Sequence, residues 1–158
     1  MKNHKIITPY IVAVILVILL CFLCSRFCFQ LMLLQGESME PSYKSGQLLF
    51  INKLDREYDR GDCVLIDSDA LGRYVFKRIV ALPGDDVHIL FGTLYVNGEA
   101  VLPYPGCPEI EDAGLAAEKL TVPEGCCFVL GDNFSRSIDS RSAELGFVEI
   151  KNIIGKAK

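Results

Sequence analysis

Two textures divide this chain. Residues 6–24, IITPYIVAVILVILLCFLC, carry no charge, while from residue 47 short apolar runs alternate with turn residues. As a helix the first stretch extends about 28 Å at 1.5 Å per residue, roughly the thickness of a bilayer's hydrocarbon. The pattern predicts one N-terminal transmembrane helix over 6–28, with Thr8 as cap and Pro9 at its first position, where a missing N–H does little harm. A cleaved signal peptide is the rival reading, and it needs a shorter apolar core followed by small residues. Here the run continues into Cys21-Phe22-Leu23-Cys24 with no Ala-x-Ala. Lys2 and Lys5 precede the span and only Arg26 closely follows it. That bias favours a cytoplasmic N-terminus over 1–5 and an extracytoplasmic body over 29–158, in a single-pass membrane protein.

The body reads as short strands between turns. Strands are predicted at 47–51, 63–66, 74–82, 87–90, 93–96 and 127–130. Arg60-Gly61-Asp62, Pro83-Gly84-Asp85-Asp86 and Asn97-Gly98 are turns, the last resembling a tight hairpin. Residues 103–118 form the longest irregular stretch, and Gly114 to Leu120 holds at most a turn or two of helix. The expected fold class is mainly β.

Charge narrows the function. The first thirty residues hold three basic and no acidic side chains, so the remainder carries 13 basic against 20 acidic residues. An acidic body speaks against a nucleic-acid partner, since phosphate binding needs a basic surface. Of seven cysteines, Cys21, Cys24 and Cys28 lie in or beside the span and read as small apolar residues. Cys63, Cys107, Cys126 and Cys127 are in the body, where a bridge from Cys107 to Cys126 or Cys127 is conceivable outside the cytoplasm. His4 and His88 are the only histidines, which excludes a His-rich metal site and disfavours a Ser-His-Asp triad; no metal or cofactor is expected. His88, between Val87 and Ile89, reads as a surface strand residue.

Three clusters carry candidate chemistry. Lys77 sits in a predicted strand whose alternation places it beside Val75 and Ile79, with Phe76, Arg78 and Val80 on the other face. Apolar burial lowers a lysine pKa from about 10.4 toward the range of a general base. Ser38 follows Gly36 and precedes Pro41, residues that shape a turn able to present a hydroxyl and its own N–H. A serine hydroxyl is a poor nucleophile until a base takes its proton. The third cluster, Gly131 to Arg141, is loop-like and rich in hydrogen-bonding groups; a hydroxyl there can orient a neutral lysine, and Asp139 and Arg141 can brace the loop as an ion pair.

At these residues the chain resembles the bacterial type I signal peptidases, over nearly its whole length. Gly36-Glu37-Ser38-Met39-Glu40-Pro41-Ser42 is similar to the family's S-M-x-P-S/T box, and Arg60-Gly61-Asp62-Cys63-Val64 to its R-G-D box. Lys77-Arg78 through Pro83-Gly84-Asp85 resembles its K-R-x-x-x-x-P-G-D box, and Gly131 to Arg141 its G-D-N-x-x-x-S-x-D-S-R box. Ile153 to Ala157 looks like the family's closing strand. The resemblance implies a signal-peptidase-like domain of antiparallel sheets and a membrane-bound serine endopeptidase. Such an enzyme cleaves signal peptides from secretory preproteins after a small-x-small motif. Ser38 would be nucleophile and Lys77 general base; Ser137 would hydrogen-bond the lysine, with Asp139 and Arg141 in support, and the Ser38 N–H would donate to the oxyanion. Gln35, Gly36, Val75 and Phe76 would line the substrate site, where an extended substrate adds as a strand. Partners would be preproteins and membrane lipid, the protein itself a monomer.

Two departures stand out. Gly36 occupies a position where some members carry an oxyanion-donating serine. After Arg141 the loop is two residues longer than usual and lacks a proline. Self-cleaving repressors use similar Ser/Lys chemistry but need a DNA-binding module and no anchor. The alternative from another class is a catalytically inactive, membrane-tethered β-domain that binds or scaffolds.

Overall fold

The computed structural model describes residues 3–157, with side chains described for 9–23 and 26–157. Lys2 of the predicted cytoplasmic segment lies outside these residues, as do the side chains of Lys5, Thr8 and Cys24. Helix α1 covers Asn3–Phe27 and places Pro9 inside it rather than at its first position. The predicted start is thus corrected: the helix extends one to two turns further toward the N-terminus, forgoing the hydrogen bond the Pro9 nitrogen cannot donate. Among the described residues no helix is long and apolar enough to cross a membrane. The described side chains of its apolar part run only from Pro9 to Leu23. Every one of them is exposed.

The body is built of antiparallel strands: β1 Phe29–Leu33, β2 Leu48–Asn52, β3 Cys63–Ser68, β4 Arg73–Ala81, β5 Asp86–Leu90, β6 Thr93–Val96, β7 Glu99–Val101, β8 Leu120–Thr121, β9 Cys126–Leu130, β10 Val148–Glu149 and β11 Ile153–Ala157. They form a seven-stranded sheet in the order β1-β2-β11-β3-β4-β9-β10 and a four-stranded sheet in the order β7-β6-β5-β8. The hairpin at Asn97-Gly98 forms as its sequence predicts, both residues taking positive φ (55° and 83°). Gly114–Ala117 is a single 3-10 turn.

Alternation along β4 divides the core. Val75 and Ile79 join Val64, Ile66, Val129 and Ile153 in one buried cluster. Phe76 joins Leu34, Met39, Leu49, Ile51 and Leu65 in another. A third cluster, between the two sheets, gathers Val80, Val87, Leu94, Val96, Phe128 and Leu130. Cys107, Cys126 and Cys127 are free thiols, so no bridge joins them. His88 is half-buried on β5, its Nε2 3.1 Å from the Ala117 carbonyl.

Asp85 ties the two sheets at the Pro83-Gly84-Asp85 turn. Its carboxylate accepts hydrogen bonds from Arg60 Nε (2.9 Å), the Leu82 N–H (2.7 Å) and Asn97 Nδ2 (2.8 Å). Burial pushes its pKa up, but these donors outweigh burial and hold it below the usual carboxylate range. Replacing Asp85 by Ala strands three donors, and should cost about 1–3 kcal/mol in stability. Denaturant unfolding of the detergent-solubilised chain checks this, with Arg60→Gln expected to cost less because its guanidinium is partly in water.

Candidate active site

Lys77 lies mid-strand in β4, paired in register with Val64 of β3. Only 3% of its surface is exposed. Its Nζ lies 2.8 Å from Ser38 Oγ. Burial pulls the ammonium down from an ordinary 10.5 to about 8; the Asp139 carboxylate opposes this shift, and the Arg73 and Arg141 guanidiniums reinforce it.

The Ser38 loop is fastened on both sides. Met39 is fully buried as a plug between Phe76, Leu34 and Cys63. The Tyr43 N–H donates to the Met39 carbonyl (2.9 Å) and the Asn133 N–H to the Ser38 carbonyl (3.0 Å). Glu37 pairs with Arg136 across the mouth of the site. Ser38 is half-buried, and among the described residues its N–H donates to no partner. Gly36 has φ of +93° and donates its N–H to Ser45 Oγ (3.3 Å). An added Cβ there would meet no atom within 4 Å, but the left-handed backbone strains any side chain. A hydroxyl donor at position 36 is therefore disfavoured by conformation, not by space.

In the third cluster Asp139 and Arg141 form a buried two-pronged ion pair: Nε to Oδ1 and Nη2 to Oδ2, each 2.9 Å. Asp139 Oδ2 also accepts the Gly131 N–H (3.0 Å), and Arg141 donates to the carbonyls of Asp112 and Phe134. The expected bond between Ser137 and Lys77 is absent: Ser137 Oγ is buried with no partner among the described residues. Its hydroxyl instead occupies the space beside Gly131. A Cβ added to Gly131 would stand 2.2 Å from Ser137 Oγ and 2.5 Å from the Ser38 carbonyl oxygen. Glycine alone lets these segments close on each other, a requirement the sequence reading passed over. A further ion pair, of partly buried Arg78 with buried Asp132, was not anticipated from sequence (Nε to Oδ1, 2.8 Å; Nη2 to Oδ2, 2.6 Å). Its signal was available: Arg78 alternates with Lys77, so it faces the other side of β4.

A groove of about 440 Å³ opens over Ser38 and Lys77, and Gln35, Gly36, Val75 and Phe76 all line it. Val75 and Phe76 are themselves buried and present little more than their edges. A larger cavity of about 730 Å³ lies beyond the loop, lined by Glu40, Glu109, Glu111 and Asp112, and contains neither Ser38 nor Lys77. The candidate residues Ser38 and Lys77 line the smaller groove. Cys63 and Cys127 offer no competing nucleophile, since burial pushes their thiols up to about 11 and about 12.

The signal peptidase, peptidase S26 family matches residues 7–158. A signal peptidase I of Bacillus licheniformis is 37% identical over 94% of this chain and 85% of its own. Signal peptidase I T of Bacillus subtilis (strain 168) is 35% identical over 92% and 80%. Among solved structures, the crystal structure of a signal peptidase I from Enterococcus faecalis V583 superposes with a TM-score of 0.54 at 33% identity, covering 65% of this chain and 97% of that one. The chain therefore belongs to the signal peptidase family, peptidase S26, and is a hydrolase of the signal peptidase I kind.

Proposed function

We propose that the chain is a membrane-anchored serine endopeptidase that removes signal peptides from secretory preproteins through a Ser38/Lys77 dyad. The observation that carries this reading is the 2.8 Å contact between Ser38 Oγ and a Lys77 Nζ whose burial favours the neutral amine. Neutral Lys77 takes the Ser38 proton as Oγ attacks the scissile carbonyl. The resulting ammonium then protonates the leaving amine, the carbon–nitrogen bond breaks, and an ester to Ser38 remains. Lys77, neutral again, deprotonates a water that attacks the ester, and the proton returns to Oγ as the signal peptide leaves. The unpartnered Ser38 N–H is left to donate to the oxyanion. Ser137 Oγ makes no bond to Lys77 here, so steadying the ammonium requires its hydroxyl to turn away from Gly131.

Edge geometry supports strand addition by the substrate. Pairing of β4 with β9 begins only at Arg78, opposite Leu130, so Arg73 to Lys77 pair on the β3 side alone. An extended peptide laid between this edge and Gln35-Gly36 brings its carbonyl over Ser38. Buried Val75 and Phe76 leave only shallow hollows, which fits small side chains near the cut and a small-x-small motif. Lipid attachment is supported by the exposed apolar α1 and by Leu31, Leu33, Leu48 and Phe50, which are exposed on the adjoining β1–β2 hairpin. The Lys2/Lys5 bias then puts residues 1–5 in the cytoplasm, residues 6–28 in the bilayer and residues 29–158 outside.

Purified protein should cleave a preprotein after a small-x-small site, with Ser38→Ala and Lys77→Ala each abolishing turnover and leaving the unfolding transition in place. Unchanged cleavage in either variant refutes the dyad, and a folded wild type without cleavage points to the scaffold alternative. Since only the neutral amine accepts a proton, kcat/KM should fall about tenfold per pH unit below about 8 and level off above it. A rate flat down to about pH 5 contradicts a lysine base. Gly131→Ala should lower kcat by about 10²-fold or more by displacing the Ser38 loop, a loss measured by single-turnover cleavage.

A further inference from the structure

Where α1 meets the body, Arg26, Lys53, Arg56 and Lys151 line a cavity of about 400 Å³ with Phe27 and Asp67. Four cations face one carboxylate there. Lys151 is paired outside the cavity with Glu149. The other three have no carboxylate partner among the described residues: Arg56 Nη1 donates to the Ile153 carbonyl (2.6 Å) and Lys53 Nζ reaches the Arg26 carbonyl (3.5 Å). Neutral carbonyls hold Arg56 and Lys53 and the Arg26 guanidinium lies over the Phe27 ring, so none of the three is neutralised by a carboxylate bond. The cluster is the local exception on a body where acids outnumber bases.

We propose that this cavity binds the phosphate of an anionic lipid headgroup in the leaflet from which α1 emerges. Arg26 stands just beyond the apolar run, at the depth where headgroup phosphates lie. The Arg56 guanidinium offers a planar fork to phosphate oxygens, and Lys53 adds a point charge. Phe27 in the lining and the neighbouring Leu54 are exposed apolar side chains, positioned for acyl chains rather than a soluble anion. An anionic leaflet otherwise repels an acidic body, and one neutralised headgroup turns that repulsion into a local tether. The inference rests on reading α1 as a membrane anchor.

The full chain, reconstituted in nanodiscs of equal phosphatidylglycerol and phosphatidylcholine and gently extracted, is examined for retained lipid by native mass spectrometry. The wild type should retain phosphatidylglycerol in preference, and each cation removed should lower that preference about fivefold. Lys53→Gln tests this without touching the Arg56–Ile153 contact, and Lys53→Gln/Arg56→Gln should bring retention to parity. Equal retention of both lipids by the wild type, or an unchanged preference in both variants, overturns the proposal. So does displacement of the lipid by millimolar inorganic phosphate, which would mark a soluble-anion site. Carbonate washing of vesicles separates the two readings: release of the chain overturns the anchor and this site together, whereas a retained chain without headgroup preference overturns the site alone.

Discussion

A buried amine is the constraint on which this structure turns. Taking an ammonium out of water is costly, so the site has to be dry enough to depress Lys77 yet not surrounded by anions that would charge it again. Asp139 is the strongest threat, because its carboxylate pulls the lysine back toward the charged state. Arg141 grips both its oxygens and adds an opposing charge of its own, so the pair presents little net field to the amine. The Ser38 loop closes the remaining side, pressed down by Met39. Dryness, a neutralised carboxylate and a pinned loop are three answers to one electrostatic demand.

The same logic explains why short motifs far apart in the chain occur together. Arg60 of one turn is joined to Asp85 of another, and Arg78 beside the lysine grips Asp132 beside the Ser38 loop. The Asn133 N–H holds the Ser38 carbonyl. These charged residues are thus halves of pairs whose other half sits in a different motif, whereas Asp139 and Arg141 pair within one. Removing one partner strands the other where water reaches poorly, which is far worse than exchanging both for apolar groups.

Much of this was legible in the residues. Runs such as Leu48–Asn52, Cys63–Ser68 and Thr93–Val96 are bounded by turn chemistry, and the structure starts and stops them within a residue or two of expectation. The pieces that escaped are those whose strand character comes from a neighbour. β8 and β10 are two residues each, too short for any period, and exist because β5 and β9 offer them an edge. β1 continues the apolar texture of the helix before it, so nothing local marks the change at Cys28. Proximity of Ser38 and Lys77 was suggested by motif resemblance, but their 2.8 Å separation depends on long-range packing. Ser137 shows the limit: a motif can place a hydroxyl in the right loop without fixing its rotamer, and here the rotamer follows the space Gly131 leaves. Cys107, Cys126 and Cys127 were an open pairing that spacing could not decide.

β11 lies between β2 and β3, with Ala157 opposite Ile51 and Lys156 opposite Val64. The ribosome must therefore deliver residue 157 before the sheet that seats the lysine can shut, although α1 and Ser38 have emerged long before. On the proposed topology, a nascent chain would cross the membrane with Ser38 already made but Lys77 not yet enclosed. The strand order would then act as a timer, the lysine's seat closing only once synthesis has passed the last strand.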